Sequence, residues 1–304
     1  MNFTIIGGGF GVYGYLPVLI TKAERLLLPI KYRKIILARK ELNKFDRRIS
    51  WVATLHDALL ASNAVVIATP PSIQVRYVRL ILREYKGVTN LILEKPLANN
   101  PKVSGKLLDE LESHSKSISV GYLFLYTPWV KKLSVAVRSN SSLSILWSFK
   151  AYHFRYAKTT WKTDHRLGGG PLRFYGIHLI SLLSRLGYTT VTRSQLLGVA
   201  GSGFKVWEAT FIGQQLAECN VRVDCCDDLE VFRIYSVAGT FLELDGPFDT
   251  LEISETGIDK RTVLIDNLLS TREMLSFESH KDIVLLWRKA EETSCFKECL
   301  KSRP

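Results

Sequence analysis

Through the first 121 residues, short apolar runs alternate with helical periods. Phe3–Ile6 is a β-rich run that breaks into glycines, and an amphipathic stretch follows from Tyr13 to Leu27. Lys34–Ala38 reads as a second strand, and Leu55–Ala61 as a short helix. Ala64–Ala68 is a continuous apolar run stopped by Thr69-Pro70-Pro71. Ile73–Tyr85 is helical in period, Asn90–Leu93 is a buried strand ended by Glu94-Lys95-Pro96, Pro101–Lys116 is helical, and Ile118–Tyr122 is a further strand. Continuous apolar strands separated by helices are the signature of βαβ units. The pattern predicts an α/β Rossmann domain, a doubly wound parallel sheet, over residues 1–121.

Beyond Tyr122 the period changes. Pro171–Leu186 is a helix opened by proline and closed near Gly187. Around it lie alternating runs at Leu143–Phe154, Lys205–Ile212, Leu216–Asp224, Glu230–Val237, Thr240–Leu244 and Thr250–Ile253, and the tail from Arg272 to Leu300 reads as helix. Consecutive strands with few helices between them predict an α+β domain over 122–304, built on an open, mainly antiparallel sheet. That domain is expected to bind substrate and to pair copies of the chain. Val206, Ala209, Phe211, Val231 and Ile234 supply more apolar side chains than one face of a small sheet needs, so a homo-oligomer is expected.

The length of 304 residues suits two domains, and 46% apolar with 23% charged residues excludes a disordered chain or a disulfide-stapled miniature. The N-terminus lacks the positive start of a secretory signal, and no window is long and apolar enough to span a membrane. Five cysteines at irregular spacings predict reduced thiols and a cytoplasmic protein, with no metal site. The net charge of +12 is unevenly spread: residues 122–180 hold nine Lys and Arg against one acid, Asp164. No basic block or nucleic-acid-binding motif accompanies it. An anionic small molecule is therefore the expected partner, not nucleic acid.

Candidate chemistry begins at Gly7-Gly8-Gly9-Phe10-Gly11-Val12-Tyr13-Gly14. A glycine turn between a strand and a helix lets backbone amides approach a pyrophosphate at the helix N-terminus. The register stays open: Gly9, Gly11 and Gly14 fit the dinucleotide fingerprint by spacing, whereas Gly7 and Gly9 fit it by position, with Val12 in the third place. A tight turn without ligand is the alternative. The expected second strand ends in Ala38-Arg39-Lys40, with no carboxylate before Glu41 to take ribose hydroxyls. Arg39 suits a 2′-phosphate, which favours NADP over NAD.

Glu94-Lys95-Pro96, the Thr69-Pro70 strand end, the glycine turn and Gly168-Gly169-Gly170-Pro171-Leu172-Arg173-Phe174-Tyr175-Gly176-Ile177-His178 together resemble the Gfo/Idh/MocA family. These are the glucose-fructose oxidoreductase and inositol dehydrogenase relatives. The resemblance runs from residue 1 to about 187. It implies a nicotinamide-dependent oxidoreductase acting on a sugar, nucleotide sugar or related polyol or carbonyl compound. It also implies that Lys95 bonds the reacting oxygen and His178 gives or takes the proton. Gly7, Gly9, Phe10, Gly11, Arg39, Thr69, Pro70, Glu94 and Lys95 are the expected cofactor residues, and Tyr122, Lys162 and Tyr175 the expected substrate residues. Two family aspartates are replaced, by Phe174 and Ser181, on the helical stripe that holds His178. Apolar residues also stand at Phe124 and Leu125, where the family carries arginines. These departures motivate two alternatives: a catalytically silent cofactor-binding sensor or scaffold, and an imine-reducing relative.

Overall fold

The structure, a computed structural model, describes residues 1–139, 142–199, 203–252, 257–271 and 275–298. It divides into two compact units, neither of them continuous in sequence. The first comprises Met1–Ala98, Leu107–Leu123 and Leu251–Leu275; the second comprises Asn99–Lys106, Phe124–Thr250 and Ser276–Pro304. A single division after residue 121 misses that 251–275 return to the first unit. The return is visible in Lys22, whose ammonium meets Asp266 at 2.8 Å and Ser270 Oγ at 2.6 Å.

The first unit carries β1 (Asn2–Ile6), β2 (Arg25–Pro29), β3 (Ser50–Val52), β4 (Ala64–Ile67), β5 (Asn90–Leu93) and β6 (Ser117–Val120). All pair in parallel, in the order β3-β2-β1-β4-β5-β6. This is the doubly wound sheet expected. Its central strands are apolar on both faces because helices cover both: Ile5, Val65, Val66 and Ile67 are wholly buried. The helix Pro71–Glu84 opens on a proline and buries Val75, Val78, Ile81 and Leu82. The helix Leu55–Leu60 opens on a reciprocal capping box between Thr54 and Asp57.

Two elements differ from expectation. The stretch read as one amphipathic helix to Leu27 is a helix, Leu16–Lys22, and then β2; Ala23 N–H closes the helix on Leu19 O. Lys34–Ala38 is not a strand. Arg33–Leu37 is helical, with Ile36 buried but Ile35 and Leu37 40% and 48% exposed, a pattern no buried central strand allows. Leu26, Leu27 and Leu28 supply the buried face instead.

In the second unit, β7 (Ser142–Lys150), β8 (Tyr188–Val199), β9 (Gly203–Gly213), β10 (Glu218–Asp224), β11 (Cys226–Ser236), β12 (Gly239–Leu244) and β13 (Ser294–Glu298) form one sheet. Their order is β12-β11-β7-β10-β9-β8-β13. Only β7–β10 and β8–β13 are parallel, so the sheet is mixed and mainly antiparallel. The tail is not all helix: Phe277–Glu292 is followed by β13, and Leu300 lies outside the described residues. Thr250 and Leu251 form a turn and a bend, not a strand, and Ile253 also lies outside the described residues.

The apolar residues expected to seek a second copy are already covered. Val206, Ala209, Phe211, Val231 and Ile234 are all 5% exposed or less. Beside them on β9 and β10, Glu208 pairs with Arg222, Arg222 with Asp224, and Thr210 with Asn220. The sequence-based reason for oligomerisation therefore does not hold. Four described cysteines are unbridged, and burial pushes the Cys219 thiol up to about 12. Among the described residues, no helix is long and apolar enough to cross a membrane.

Candidate active site

In the first unit the strand order reverses between β1 and β4, and ligands of doubly wound sheets bind at that crevice, beyond the carboxyl ends of the strands. The glycine turn leaves β1 there. Gly7 has φ +134°, and a Cβ on it would stand 2.2 Å from Ala68 O, so only glycine fits. Its amide donates to the Tyr32 hydroxyl at 3.0 Å. Gly9 is different: a Cβ there meets no protein atom within 4 Å. The open register is thereby resolved on Gly7 and Gly9. Val12 is buried in the third place, and the close approach of helix to strand falls on Gly11, whose Cβ would lie 2.9 Å from Ile5 Cγ2. Gly11–Tyr15 is a π-helical turn that runs into the helix Leu16–Lys22.

Thr69 and Pro70 leave the adjacent strand β4. The Thr69 Oγ1 atom is buried and has no hydrogen-bond partner. An orphaned hydroxyl and an open glycine at the switch point fit a dinucleotide, which would satisfy the one and lie against the other. The ribose-facing position moves with the corrected strand. β2 ends at Pro29, so Ile30 and Lys31 occupy the place expected for Ala38 and Arg39. No acid stands between Arg25 and Lys40. Arg39 is still near the turn by another route: its guanidinium lies 4.9 Å from the Tyr13 ring centroid and pairs with Glu41 at 3.0 Å.

Beyond β5, Glu94-Lys95-Pro96 is held from below by Gln74, a buried residue of the helix Pro71–Glu84. Gln74 Nε2 donates to Glu94 O at 2.7 Å and Leu97 O at 3.1 Å, while its Oε1 accepts from Glu94 N at 3.0 Å. Gln74 was missed on sequence. Its signal was a polar residue on the apolar stripe of an amphipathic helix. The Lys95–Pro96 bond is cis. Glu94 accepts from the Tyr15 hydroxyl at 2.6 Å. Burial raises its pKa above the usual carboxylate range, opposed by Tyr15 and by the charges of Lys95 and Arg261. Gly121 leaves room for this pair, since a Cβ there would lie 2.6 Å from Glu94 Oε1. Tyr122, next in sequence, is buried in the same unit, and burial raises its pKa.

The second unit holds His178, Tyr175 and Lys162. The G-G-G segment is packed under the loop before it: a Cβ on Gly169 would stand 2.2 Å from Trp161 O, and Gly170 N donates to Lys162 O at 2.8 Å. The helix then starts as a π turn over Pro171–Gly176 and continues as Ile177–Leu186. His178 is buried, stacked on Phe124 at 4.7 Å and edge-on to Phe248 at 6.4 Å. Ser181 turns its hydroxyl to His178 O, not to the imidazole. Phe174 meets the Trp161 edge at 5.2 Å, and the Lys162 ammonium lies 5.3 Å over its ring. Tyr175 packs on Phe149 at 4.9 Å and Trp147 at 5.7 Å, and burial raises its pKa. Lys162 and Tyr175 are thus joined through Phe174, whereas Lys95 and Tyr122 belong to the other unit. Arg173 is tied by two hydrogen bonds to Glu291 and by one each to the carbonyls of His165 and Asn99.

Residues 1–122 match the Gfo/Idh/MocA model, described as an oxidoreductase family with an NAD-binding Rossmann fold. No curated protein matches the sequence. Several solved structures share the fold. KijD10, a 3-ketoreductase from Actinomadura kijaniata in complex with NADP and TDP-benzene, is 12% identical with a TM-score of 0.70, covering 99% of each chain. The WlbA dehydrogenase from Thermus thermophilus, in complex with NAD and UDP-GlcNAcA, is 14% identical with a TM-score of 0.69, covering 99% of this chain and 97% of that one. A myo-inositol dehydrogenase from Corynebacterium glutamicum is 13% identical with a TM-score of 0.66, covering 97% and 96%. The neighbours include proteins holding NAD and proteins holding NADP.

Proposed function

From the premise that its first 122 residues belong to the Gfo/Idh/MocA oxidoreductases, we propose that this protein is an NAD(P)-dependent oxidoreductase acting on an anionic sugar or nucleotide sugar. The observation that carries the reading is the switch-point cradle, with Gly7 and Gly11 closed against β1 and β4, Gly9 open, and the Thr69 hydroxyl unpartnered. When bound there, the nicotinamide supplies or accepts a hydride. Backbone amides of the glycine turn hold the pyrophosphate, and Thr69 and Pro70 flank it. The structural neighbours named with UDP- and TDP-linked ligands favour a nucleotide sugar. So does the basic 122–180 segment.

Lys95, placed by Gln74 at the carboxyl end of β5, is assigned to polarise or protonate the reacting oxygen. His178 is assigned to relay the proton from among Phe124 and Phe248. With Phe174 where the family carries a carboxylate, it acts as a neutral hydrogen-bond donor and leaves Lys95 as the main acid. Tyr175 and Lys162 line the substrate side. Hydride transfer to a panel of uronic and nucleotide-linked sugars, followed at the nicotinamide absorbance, tests the activity. Lys95→Ala should cost at least about two orders of magnitude in turnover, the scale of acid–base loss. Retained turnover would remove Lys95 from the mechanism. Tight cofactor binding without hydride transfer to any substrate would favour the scaffold reading, to which Phe174 points.

A further inference from the structure

The segment that returns to the first unit brings an arginine to the glycine turn. Ahead of the helix Thr262–Ser270, the Arg261 guanidinium lies 4.4 Å from the centroid of the Phe10 ring. Phe10 stands between the open Gly9 and the tightly packed Gly11. Asp259 fixes the guanidinium through two hydrogen bonds of 2.9 and 2.7 Å and also accepts from Arg261 N at 2.9 Å. Burial works against the arginine's charge, but Asp259 more than offsets this and, with the Tyr13 side chain, holds its pKa above the ordinary value. The Phe10 ring in turn meets Tyr13 at 5.3 Å and Tyr15 at 5.6 Å, both edge-on. Tyr15 continues the chain to Glu94. Gly14 makes room for the ring, since a Cβ there would lie 2.5 Å from it.

The geometry points to Arg261 as a cofactor-positioning residue: by clamping Phe10 it holds the glycine turn in the shape that receives a dinucleotide pyrophosphate. Asp259 balances the arginine's charge, so the pair adds little long-range attraction for an anion. Its contribution is the fixed position of one ring, and with it the amides on either side. A C-terminal segment is in this way part of the cofactor cradle. The inference rests on the dinucleotide reading of the first unit and extends it to a residue far along the chain.

The test compares wild type, Arg261→Ala, Arg261→Lys and Phe10→Leu. Each is titrated with NADPH and NADH, and with 2′,5′-ADP and AMP, which lack the pyrophosphate bridge and the nicotinamide half. Arg261→Ala should weaken the preferred reduced cofactor about tenfold, the scale of one partly buried cation–π contact, and leave its adenosine fragment within about twofold. Arg261→Lys should recover part of the loss. Phe10→Leu, which spares the Arg261–Asp259 pair, should reproduce it and serves if the alanine variant fails to fold. Unchanged cofactor affinity in both Arg261→Ala and Phe10→Leu would overturn the inference. Equal weakening of cofactor and fragment would overturn it too, because that is general loosening of the unit. A wild type that binds neither cofactor would instead overturn the dinucleotide reading itself.

Discussion

Gly7 and Gly9 stand two residues apart in the same turn, yet substituting them should have opposite consequences. An alanine at Gly7 must adopt φ near +134°, and its Cβ would stand 2.2 Å from Ala68 O, a backbone atom of the neighbouring strand. Strain of that kind costs about 1–3 kcal/mol before the clash is counted. Moving β1 from β4 to relieve the clash disturbs buried ladder pairs such as Ile6 with Ile67. At about 2–4 °C per kcal/mol for units of this size, Gly7→Ala should lower the Tm by roughly 5 °C or more. An alanine at Gly9 meets no protein atom within 4 Å, and its backbone lies outside the left-handed region. Its effect on stability should be nil, or a gain of up to about 1 kcal/mol from restricting the unfolded chain. The new methyl would, however, fill the space through which a pyrophosphate approaches the amides. Gly9→Ala should therefore weaken NADPH or NADH at least about tenfold, a loss of about 1.4 kcal/mol, with Tm unchanged. Thermal denaturation and a fluorescence titration on both variants read the two effects separately. A Gly9→Ala protein that binds cofactor like wild type would refute the claim that the turn faces a ligand.

Gln74→Ala strips hydrogen bonds from the buried carbonyls of Glu94, Pro96 and Leu97. It should cost about 1–3 kcal/mol and depress turnover more than cofactor affinity, measured by denaturant unfolding and steady-state kinetics; unaltered values in both would deny it the placing of Lys95. Wild type should bind NADPH at least about tenfold more tightly than NADH, because the end of β2 offers Lys31 and no carboxylate. Lys31→Ala and Arg39→Ala then report which cation reads the 2′-phosphate, and a preference for NADH would end the idea. Burial lowers the His165 and His280 pKa values to about 4 from the ordinary 6.5, helped by Arg173 and Arg185 respectively. Both groups bind protons more readily when unfolded, so the stability they contribute is complete above pH 6.5 and drains as pH falls toward about 4. At pH 5 each should have removed roughly 2 kcal/mol. The Tm should fall by several degrees between pH 7.5 and pH 5, and His165→Phe should shrink that fall. A Tm flat over this interval would contradict the burial of both rings.

Much of the frame is legible in local pattern because its causes are local. Ala64–Ile67 and Leu91–Leu93 are apolar without interruption, which only a strand covered on both faces tolerates. The glycine turn announces itself at the end of β1, and Pro171 opens the helix it was expected to open. β2 was hidden for a physical reason. Arg25-Leu-Leu-Leu-Pro29 follows the helix Leu16–Lys22 after two residues. Leucine favours a helix when nothing else intervenes. Pairing with β1 and β3 makes it strand, and that pairing spans residues distant in sequence. Moving β2 back also moved the expected ribose contact from Arg39 to Lys31.

Which residue types are candidates for chemistry can be read from the chain itself. Glycine at 7 answers a backbone conformation, and Lys95 follows the end of a strand. Which residues support them was decided by packing alone. Gln74 needs three carbonyls brought together by β5 and the loop after it. Arg261 needs the segment between β12 and β13 to fold back on the first unit. No period or spacing encodes such contacts, because their energy comes from groups that meet only when the whole core has formed.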